Sequence, residues 1–274
     1  MDKILFIDAH NAMWRACVKF GAVQPDVPDE VIFAFNFFRN LRPIIADFEP
    51  DKCFFVLEGH PQFRYDLFSD YKANRIIKQA AKQETNDRFL KTKDIIVPLL
   101  QHLPITTCRA ANYEADDVIA TLCDNMRDED LTVLSNDSDY IQLLQRSYPQ
   151  IRIYNPIKKV FMEAPPYPYV AWKCLNGDKS DNIPALLKPK KALDTVNSPE
   201  LFEKFMAVEE NRANFSVNRQ LIEFRTVPVD EITLHEGARN FDALRTAFTE
   251  MKFESIVNDQ SWNKYHKTFD CLKY

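Results

Sequence analysis

Short apolar runs that end in an acidic residue recur in the first half of the chain. They stand at residues 3–8 (KILFID), 52–58 (KCFFVLE) and 131–137 (LTVLSND). Continuous apolar runs of this length indicate strands covered on both faces, as in the middle of a parallel sheet. Segments 29–47 and 114–127 between them are typical of helices. The alternation predicts an α/β fold with a mainly parallel central sheet flanked by helices.

The chain after residue 184 shows helical spacing without a persistent strand pattern. Segments 199–209, 211–225 and 239–257 carry apolar residues, many of them phenylalanine, at helical intervals. We therefore predict an α/β core over residues 1–182 and a smaller helical lobe over residues 183–274. The terminal stretch 262–274 mixes charges with aromatic residues. It fits a partner-binding tail and a segment packed on the domain equally well.

Composition argues against several functional classes. Only four glycines, and no Walker or dinucleotide fingerprint, argue against a glycine-rich phosphate loop. The six scattered cysteines form no C-x-x-C pair, which indicates free thiols in a reducing compartment. No apolar run is long enough for a signal peptide or a membrane span. We expect a cytoplasmic monomer without membrane contact, in the host cytoplasm if the source is viral.

Acidic residues stand at the carboxyl ends of three predicted strands: Asp8, Glu58 and Asp137. In open parallel sheets, ligands bind beyond the carboxyl ends of the strands. One acid that ends a strand is common, but three such acids indicate a shared site. We therefore expect these carboxylates to converge.

A second acidic group opens the predicted helix 114–127. Glu114, Asp116 and Asp117 crowd one helical turn, where they repel one another and raise one another's pKa values. Hard divalent cations prefer carboxylate and water oxygens and would explain the grouping. For this segment alone, a solvated and acid-rich helix start is the alternative.

Three further acids extend this set. Asp139 follows Asp137 by two residues, and Asp178 and Asp181 lie in the turn-rich stretch 176–184. A spacing of three would point the last two the same way on a helical turn, although the stretch alone also fits an ordinary capped loop. Without these nine acids the net charge of −5 becomes positive. An acidic total therefore does not exclude a nucleic-acid ligand.

Residues 60–93 combine an excess of basic residues with aromatic residues near the start of the segment. Cations suit phosphates and rings suit exposed bases, so the segment fits a nucleic-acid strand. The candidate contacts are Phe63, Arg64, Tyr71, Lys72, Arg75, Lys78 and Lys82. A solvated helix face packed by its aromatic residues is the simpler explanation of this segment taken alone.

Five motifs in order resemble those of the 5′-nuclease (flap endonuclease) family, most closely its bacteriophage ribonuclease H branch. They are Ile7-Asp-Ala-His-Asn11, Arg64 with Tyr71-Lys-Ala-Asn-Arg75, Tyr113-Glu-Ala-Asp-Asp117, Ser135-Asn-Asp-Ser-Asp139 and Gly177-Asp-Lys-Ser-Asp-Asn182. Each motif is modest alone, but the ordered set is specific and covers most of residues 1–182. The resemblance implies a PIN-like nuclease core with a helical arch over about residues 60–95.

The resemblance also implies roles for single residues. Asp8, Glu58, Glu114, Asp116 and Asp137 would surround one Mg²⁺ or Mn²⁺ ion. Asp139, Asp178 and Asp181, with Asp116 or Asp117 nearby, would hold a second, and many of these contacts would run through water. Lys72 and Arg75 match the basic pair at the base of the arch and would stabilise charge on the scissile phosphate. Phe63 and Tyr71 would stack on an unpaired base, or pack within the fold.

Two departures from the family pattern matter. The family usually has aspartate where Glu58 stands, so this ligand reaches one methylene farther and could shift the first ion. The helix-hairpin-helix segment, residues 183–192, contains no glycine, which argues against the family's potassium (K⁺) site. Lys188, Lys190 and Lys191 would then contact phosphates through their side chains, unless the segment is a remodelled loop.

The predicted function is metal-dependent phosphodiester hydrolysis by a 5′-3′ exonuclease or flap endonuclease. The expected ligands are branched or 5′-flapped DNA and RNA/DNA hybrids, with a single-strand-binding protein or replisome component as a candidate partner. Glu58 and the missing glycines motivate an alternative, a catalytically weakened protein that binds flaps. The arch motif disfavours a PIN-type ribonuclease. An aspartyl-phosphate phosphatase is excluded because His10 stands where a second aspartate would be required.

Overall fold

The computed structural model describes residues 1–17, 27–75 and 83–273. Its strands are β1 (Lys3–Asp8), β2 (Lys52–Leu57), β3 (Thr106–Ala110), β4 (Asp130–Leu134), β5 (Ile151–Asn155), β6 (Val160–Phe161) and β7 (Ile232–Glu236). They form one sheet in the order β6-β5-β4-β1-β2-β3-β7. Neighbouring strands from β5 to β3 run parallel, whereas β6 and β7 pair antiparallel at the edges. The predicted α/β fold with a mainly parallel sheet is confirmed.

The helices that precede or separate the inner strands are α1 (Ala9–Ala16), α2 (Asp29–Phe48), α3 (Gln62–Leu67), α4 (Gln83–Leu100), α5 (Ala115–Asn125) and α6 (Ile141–Leu144). The later helices are α7 (Tyr169–Asn176), α8 (Pro189–Val196), α9 (Pro199–Met206), α10 (Glu209–Ile222), α11 (Phe241–Glu250), α12 (Glu254–Val257) and α13 (Asp259–Lys267). The predicted helix 239–257 is divided into α11 and α12 where Lys252 adopts a left-handed conformation. No helix in the described ranges is both long and apolar enough to cross a bilayer.

Alternate residues of the inner strands face two separate hydrophobic cores. Leu5 of β1 packs in the core that holds α1, α2, α4 and the C-terminal helices, whereas Phe6 packs in the core that holds α5. In β2, Val56 likewise faces the α5 side. Asp8 and Glu58 continue these alternating positions, so both carboxylates leave the sheet on the α5 side.

The prediction that no strand follows residue 184 was wrong. β7 pairs with β3, and Cys108 lies opposite Leu234. Most residues of β7 are exposed because it is an edge strand. Its sequence therefore lacks the continuous apolar run by which central strands are recognised.

The terminal stretch packs back on the domain. Trp262, Tyr265 and Phe269 are buried in the same core as Phe38 of α2. Residues of α7 to α10 form a smaller core of their own, which also takes in Tyr71. Residues after position 182 contribute to all three cores. The domain boundary at residue 182 stays a prediction.

Candidate functional site

The ends of β1 and β4 hold two of the predicted strand-end acids. Ser135 Oγ donates a hydrogen bond to Asp8 Oδ2 at 3.0 Å, and the backbone N–H of Asn11 donates to Asp8 Oδ1 at 3.0 Å. Asp137 accepts a hydrogen bond from the backbone N–H of Asp139 at 3.0 Å. Burial, together with the nearby Asp137 carboxylate, raises the pKa of Asp8 to about 6. Asp8 and Asp137 are therefore close enough for their charges to interact, whereas the convergence of all three strand-end acids stays a prediction.

Glu58 reaches from the end of β2 to the start of α5. Its Oε2 accepts a hydrogen bond from the backbone N–H of Ala115 at 3.0 Å. Burial and the neighbouring Glu114 carboxylate raise the pKa of Glu58 to about 7. Burial and the charges of Glu114 and Glu58 also raise the pKa of Asp116 well above its usual range. Neighbouring carboxylates repel one another, so ionising all of these groups is unfavourable. A hard divalent cation would relieve the repulsion.

Arg64 neutralises the other two acids at the start of α5. Its Nη1 lies 2.7 Å from Glu114 Oε2 and 2.6 Å from Asp117 Oδ2, and its Nη2 lies 2.8 Å from Asp117 Oδ1. The backbone N–H of Arg225 donates to the same Asp117 Oδ1 at 2.8 Å. This geometry corrects two predictions. Arg64 is only 2% exposed and cannot reach nucleic acid, and both oxygens of the fully buried Asp117 accept protein hydrogen bonds instead of facing a metal.

Glu114 is shared among several donors. Tyr71 donates its hydroxyl to Glu114 at 3.0 Å and to Asp181 at 3.3 Å, and Lys72 Nζ contacts Glu114 directly. Burial disfavours the ionised form of Glu114, but Lys72 and Arg64 outweigh it and lower the pKa of this carboxyl. Tyr71 is only 2% exposed, so the prediction that it stacks on an unpaired base is corrected: it packs within the fold. Like Asp117, Glu114 is therefore already ion-paired within the protein, in its case with Arg64 and Lys72.

Ion pairs and hydrogen bonds connect the segment from Tyr71 to Arg75 to the loop that contains Asp181. Arg75 contacts Asp181 Oδ1, and Lys72 Nζ lies 3.8 Å from Asp181 Oδ2. The backbone N–H of Lys72, in a left-handed conformation, donates to the Asp181 carbonyl at 2.9 Å. Asn74 donates its amide to Asn182 Oδ1 at 3.0 Å. Two motifs that lie about a hundred residues apart therefore meet, with the predicted basic pair beside the acids.

Lys173 of α7 links Asp139 to Asp178, and the sequence reasoning missed it. Its Nζ contacts Asp139 and lies 2.8 Å from Asp178, and the residue is buried. Burial raises the pKa of Asp139 to about 6 although Lys173 opposes it. For Asp178, Lys173 and Ser180 outweigh burial and lower the pKa to about 2. The available signal was a single lysine inside the apolar helix that leads to Asp178.

Asp178 and Asp181 do not share a helical turn. A backbone bridge between Asp178 and Ile183 closes the loop that carries both acids. Ser180 Oγ lies 2.7 Å from Asp178 Oδ1 and 3.4 Å from Asp181 Oδ1. Gly177 starts the loop at φ +71°, where a Cβ would lie 2.6 Å from the backbone N of residue 185. In this loop Asp178 therefore pairs with Lys173, whereas Asp181 pairs with Arg75.

An open cleft of about 800 Å³ runs along Asp139, Asp178 and Asp181. Its lining includes Arg75, Asp137, Asp139, Lys173, Asp178 and Lys188. Lys188, Lys190 and Lys191 are exposed at the start of α8. The backbone N–H groups of Leu186 and Leu187 both donate to the Leu175 carbonyl at 2.9 Å. The loop thus uses these amides internally, and exposed lysine side chains remain the groups able to contact phosphate.

Phe63 of α3 is half-buried and packs against Arg225 and Tyr113. The guanidinium carbon of Arg225 lies 3.8 Å from the centroid of the Phe63 ring, and the Tyr113 ring lies 5.9 Å away. Arg225 is exposed, and the sequence reasoning did not select it. Lys78 and Lys82 fall at residues 76–82, outside the described residues, together with the middle of the predicted arch.

Within residues 1–17, 27–75 and 83–273, no three His, Cys, Asp or Glu side chains are grouped closely enough to hold an ion as they stand. Arg64, Lys72, Arg75 and Lys173 each pair with carboxylates of the predicted set. The donor set itself, carboxylate oxygens with raised pKa values, fits a hard divalent ion. Asp139, Asp178 and Asp181 are already paired with Lys173 or Arg75, so an ion among these three acids would compete with those bases.

Acidic side chains thus stand at the carboxyl edge of the parallel sheet, beside the partly exposed basic pair formed by Lys72 and Arg75. Residues 3–166 match the family model described as 5′-3′ exonuclease, N-terminal resolvase-like domain. The 5′-3′ exonuclease of Bacillus subtilis (strain 168) is 30% identical over 79% of this chain and 75% of that protein. The chain belongs to this 5′-3′ exonuclease family. The predicted family and enzyme class are thereby confirmed, whereas the bacteriophage branch stays a prediction.

Longer relatives share the same region. DNA polymerase I of Chloroflexus aurantiacus is 28% identical over 91% of this chain, which spans 29% of the polymerase. Among solved structures, T5 5′-exonuclease with bound zinc has a TM-score of 0.62 at 15% identity, with 97% of this chain and 98% of that chain covered. The catalytic core of Rad2 in complex with DNA substrate has a TM-score of 0.56 at 14% identity, with 93% and 92% covered. These likenesses confirm the predicted 5′-nuclease, PIN-like fold.

Proposed function

We propose that this chain is a divalent-metal-dependent, structure-specific 5′ nuclease that cleaves RNA primers or DNA flaps at 5′ ends on duplex. One observation carries the proposal. Asp8 ends β1, Glu58 follows β2 and Asp116 lies in α5, and burial with the charge of neighbouring carboxylates raises the pKa of each. A bound cation would replace the protons that these groups retain, because ionised carboxylates are the form that binds metal.

The acids divide into two groups that suit two ions. Asp8, Glu58, Asp116 and Asp137 would hold the first Mg²⁺ or Mn²⁺, and Asp139, Asp178 and Asp181 the second. Bound ions would supply an activated water and stabilise the leaving 3′-oxygen. Asp117 drops out of the ligand set because Arg64 occupies it.

Lys72 and Arg75 would act on the scissile phosphate. Both contact acids of the site in the free protein, so both lie where a phosphate between those acids would sit. Arg75 lines the cleft with 42% of its side chain exposed, where a phosphate could reach it. Lys72 would have to leave its ion pair with Glu114 to contact the phosphate. A well-placed donor of this kind is worth about 2.7–4 kcal/mol in the transition state.

The surfaces beside the site suit a nucleic-acid backbone. Lys188, Lys190 and Lys191 would contact phosphates along the cleft, and Phe63 with Arg225 would contact a nucleic-acid strand. Two structural neighbours support this use of the fold. Rad2 is in complex with DNA substrate, and human GEN1, with a TM-score of 0.56 at 14% identity over 91% of this chain and 68% of that chain, is in complex with Holliday junction DNA.

Cleavage of a labelled 5′-flapped duplex tests the proposal. Wild type with Mg²⁺ or Mn²⁺ should release 5′-phosphate products, whereas EDTA and the Asp116→Asn variant should abolish release. A flap that is bound but uncut with either ion would favour the catalytically weakened flap-binding protein. Cleavage that persists in EDTA would contradict metal dependence.

A further inference from the structure

The Tyr140 hydroxyl is a buried donor that lacks a protein partner. It is the one buried side-chain polar atom without a hydrogen-bond partner among the described residues, and Tyr140 is 1% exposed. Its ring packs on Phe224, with 5.8 Å between ring centroids, in the core on the α5 side of the sheet. Leaving a buried hydroxyl unpaired costs about 1–3 kcal/mol. A phenylalanine would fill the same core without that cost.

Four carboxyl groups influence this hydroxyl electrostatically. Burial and the charges of Asp8, Asp116, Asp137 and Glu58 raise the pKa of Tyr140 far above its usual value. Asp8 ends β1, Asp116 lies in α5, Glu58 follows β2 and Asp137 follows β4, so the hydroxyl interacts with acids from four separate parts of the fold. A tyrosine hydroxyl has an ordinary pKa of about 10 and is therefore a hydrogen-bond donor at neutral pH.

Two of these four acids are already engaged by other protein donors. Asp8 accepts from Asn11 and Ser135 on its two oxygens, and Glu58 Oε2 accepts from Ala115. A donor among such acids reaches them through a water molecule when direct contact is not made. Mg²⁺ keeps several of its own waters, so an ion held by these acids would present such a water to a neutral donor.

We propose that Tyr140 is a positioning residue, whose hydroxyl donates a hydrogen bond to a water of the divalent ion held among Asp8, Glu58, Asp116 and Asp137. This inference rests on the proposed function, because it presupposes an ion at that place. Tyr140 fixes the orientation of the water without adding charge or replacing a carboxylate ligand. Its hydroxyl is unpaired in the metal-free protein and becomes paired when the ion binds.

Tyr140→Phe tests this, with Tyr265→Phe as the matched control. Tyr265 is also fully buried, but its hydroxyl donates to the Phe38 carbonyl at 3.3 Å, in the other core. Manganese affinity measured by calorimetry should fall about 3- to 10-fold in Tyr140→Phe, the range of one hydrogen bond, and stay unchanged in Tyr265→Phe. Urea unfolding without metal should show Tyr140→Phe at least as stable as wild type and Tyr265→Phe less stable.

The outcomes separate the two proposals. If wild type does not bind Mn²⁺ at all, the proposed metal centre fails. If wild type binds Mn²⁺ and Tyr140→Phe binds it equally well, the role of Tyr140 is overturned while the metal centre stands. A Tyr140→Phe protein that is strongly destabilised or unfolded without metal would also overturn it, because the hydroxyl would then make a bond that the fold itself needs.

Discussion

Arg64 donates two parallel hydrogen bonds to Asp117, from Nη1 to Oδ2 at 2.6 Å and from Nη2 to Oδ1 at 2.8 Å. Both side chains are almost fully buried. Arg64 Nε also donates to the Leu221 carbonyl at 3.0 Å. One guanidinium therefore joins α3, the start of α5 and the end of α10. The pair holds α3 against the start of α5, so Arg64 faces inward.

Removing Arg64 should destabilise the protein. Arg64→Met leaves two buried carboxylates without their counter-charge, so the free energy of unfolding in urea should fall by about 3–5 kcal/mol. Arg219→Met removes an exposed helical pair with Glu223 and should cost at most about 0.5 kcal/mol. If the two variants lose the same stability, Arg64 is not the structural link described here.

Lys72→Ala should chiefly slow cleavage. Loss of one transition-state donor typically lowers the rate about 10²- to 10³-fold, and single-turnover cleavage of a bound 5′ flap measures that step directly. Flap affinity should change little, because phosphate contacts elsewhere supply most of the binding. Lys52→Ala removes an exposed lysine on β2 and serves as the control. Unchanged single-turnover cleavage by Lys72→Ala would exclude the proposed role.

The metal-free protein should lose stability as the pH rises from about 4.5 to about 7. Burial raises the folded-state pKa of Asp8 to about 6 and of Glu58 to about 7, above their unfolded values. The native state therefore binds more protons than the unfolded state in this window, and the free energy of unfolding falls with pH. Urea titrations at several pH values measure this slope.

A matched variant and an added ion sharpen that prediction. Asp8→Asn with Glu58→Gln should make the slope shallower, because neither amide ionises, while Asp116 and Asp139 supply the slope that remains. Saturating Mg²⁺ should stabilise the wild type more at pH 7.5 than at pH 5, where the carboxyl groups retain protons. Stability that rises with pH across the window would contradict the environment described for the two acids.

Lys173→Met should produce a defect that a divalent ion repairs. The lysine neutralises Asp139 and Asp178, so its loss should lower the free energy of unfolding by about 3–5 kcal/mol without metal. Added Mn²⁺ should recover much of that loss by supplying the missing positive charge. Lys204→Met, on the exposed face of α9, should show neither effect. A Lys173→Met protein whose loss Mn²⁺ does not reduce would argue against an ion between those aspartates.

The acidic group could be predicted from the sequence because local rules determine it. Asp8 and Glu58 end apolar runs, and parallel strands present such ends at one edge of the sheet. The start of α5 was recognisable from the apolar residues that follow Asp117. β7 escaped recognition since an exposed edge strand has no apolar run, and its pairing with β3 depends on residues more than a hundred positions away.

The partners of the basic residues could not be predicted in the same way. Arg64 and Tyr71 stand in a segment rich in cations and rings, where a buried link and a nucleic-acid contact have the same sequence signature. Tertiary packing decides between them, and here it buries both residues against Glu114. Lys173 was missed for a related reason, since a single lysine in an apolar helix indicates burial but not the acids that it meets.

Anomalous diffraction from crystals soaked in Mn²⁺ tests the central claim most directly. The account predicts a peak about 2.1 Å from carboxylate oxygens of the group formed by Asp8, Glu58, Asp116 and Asp137, with a second peak near Asp139 and Asp178. Peaks confined to other surface carboxylates, with Lys72 and Lys173 still paired to their acids, would contradict it.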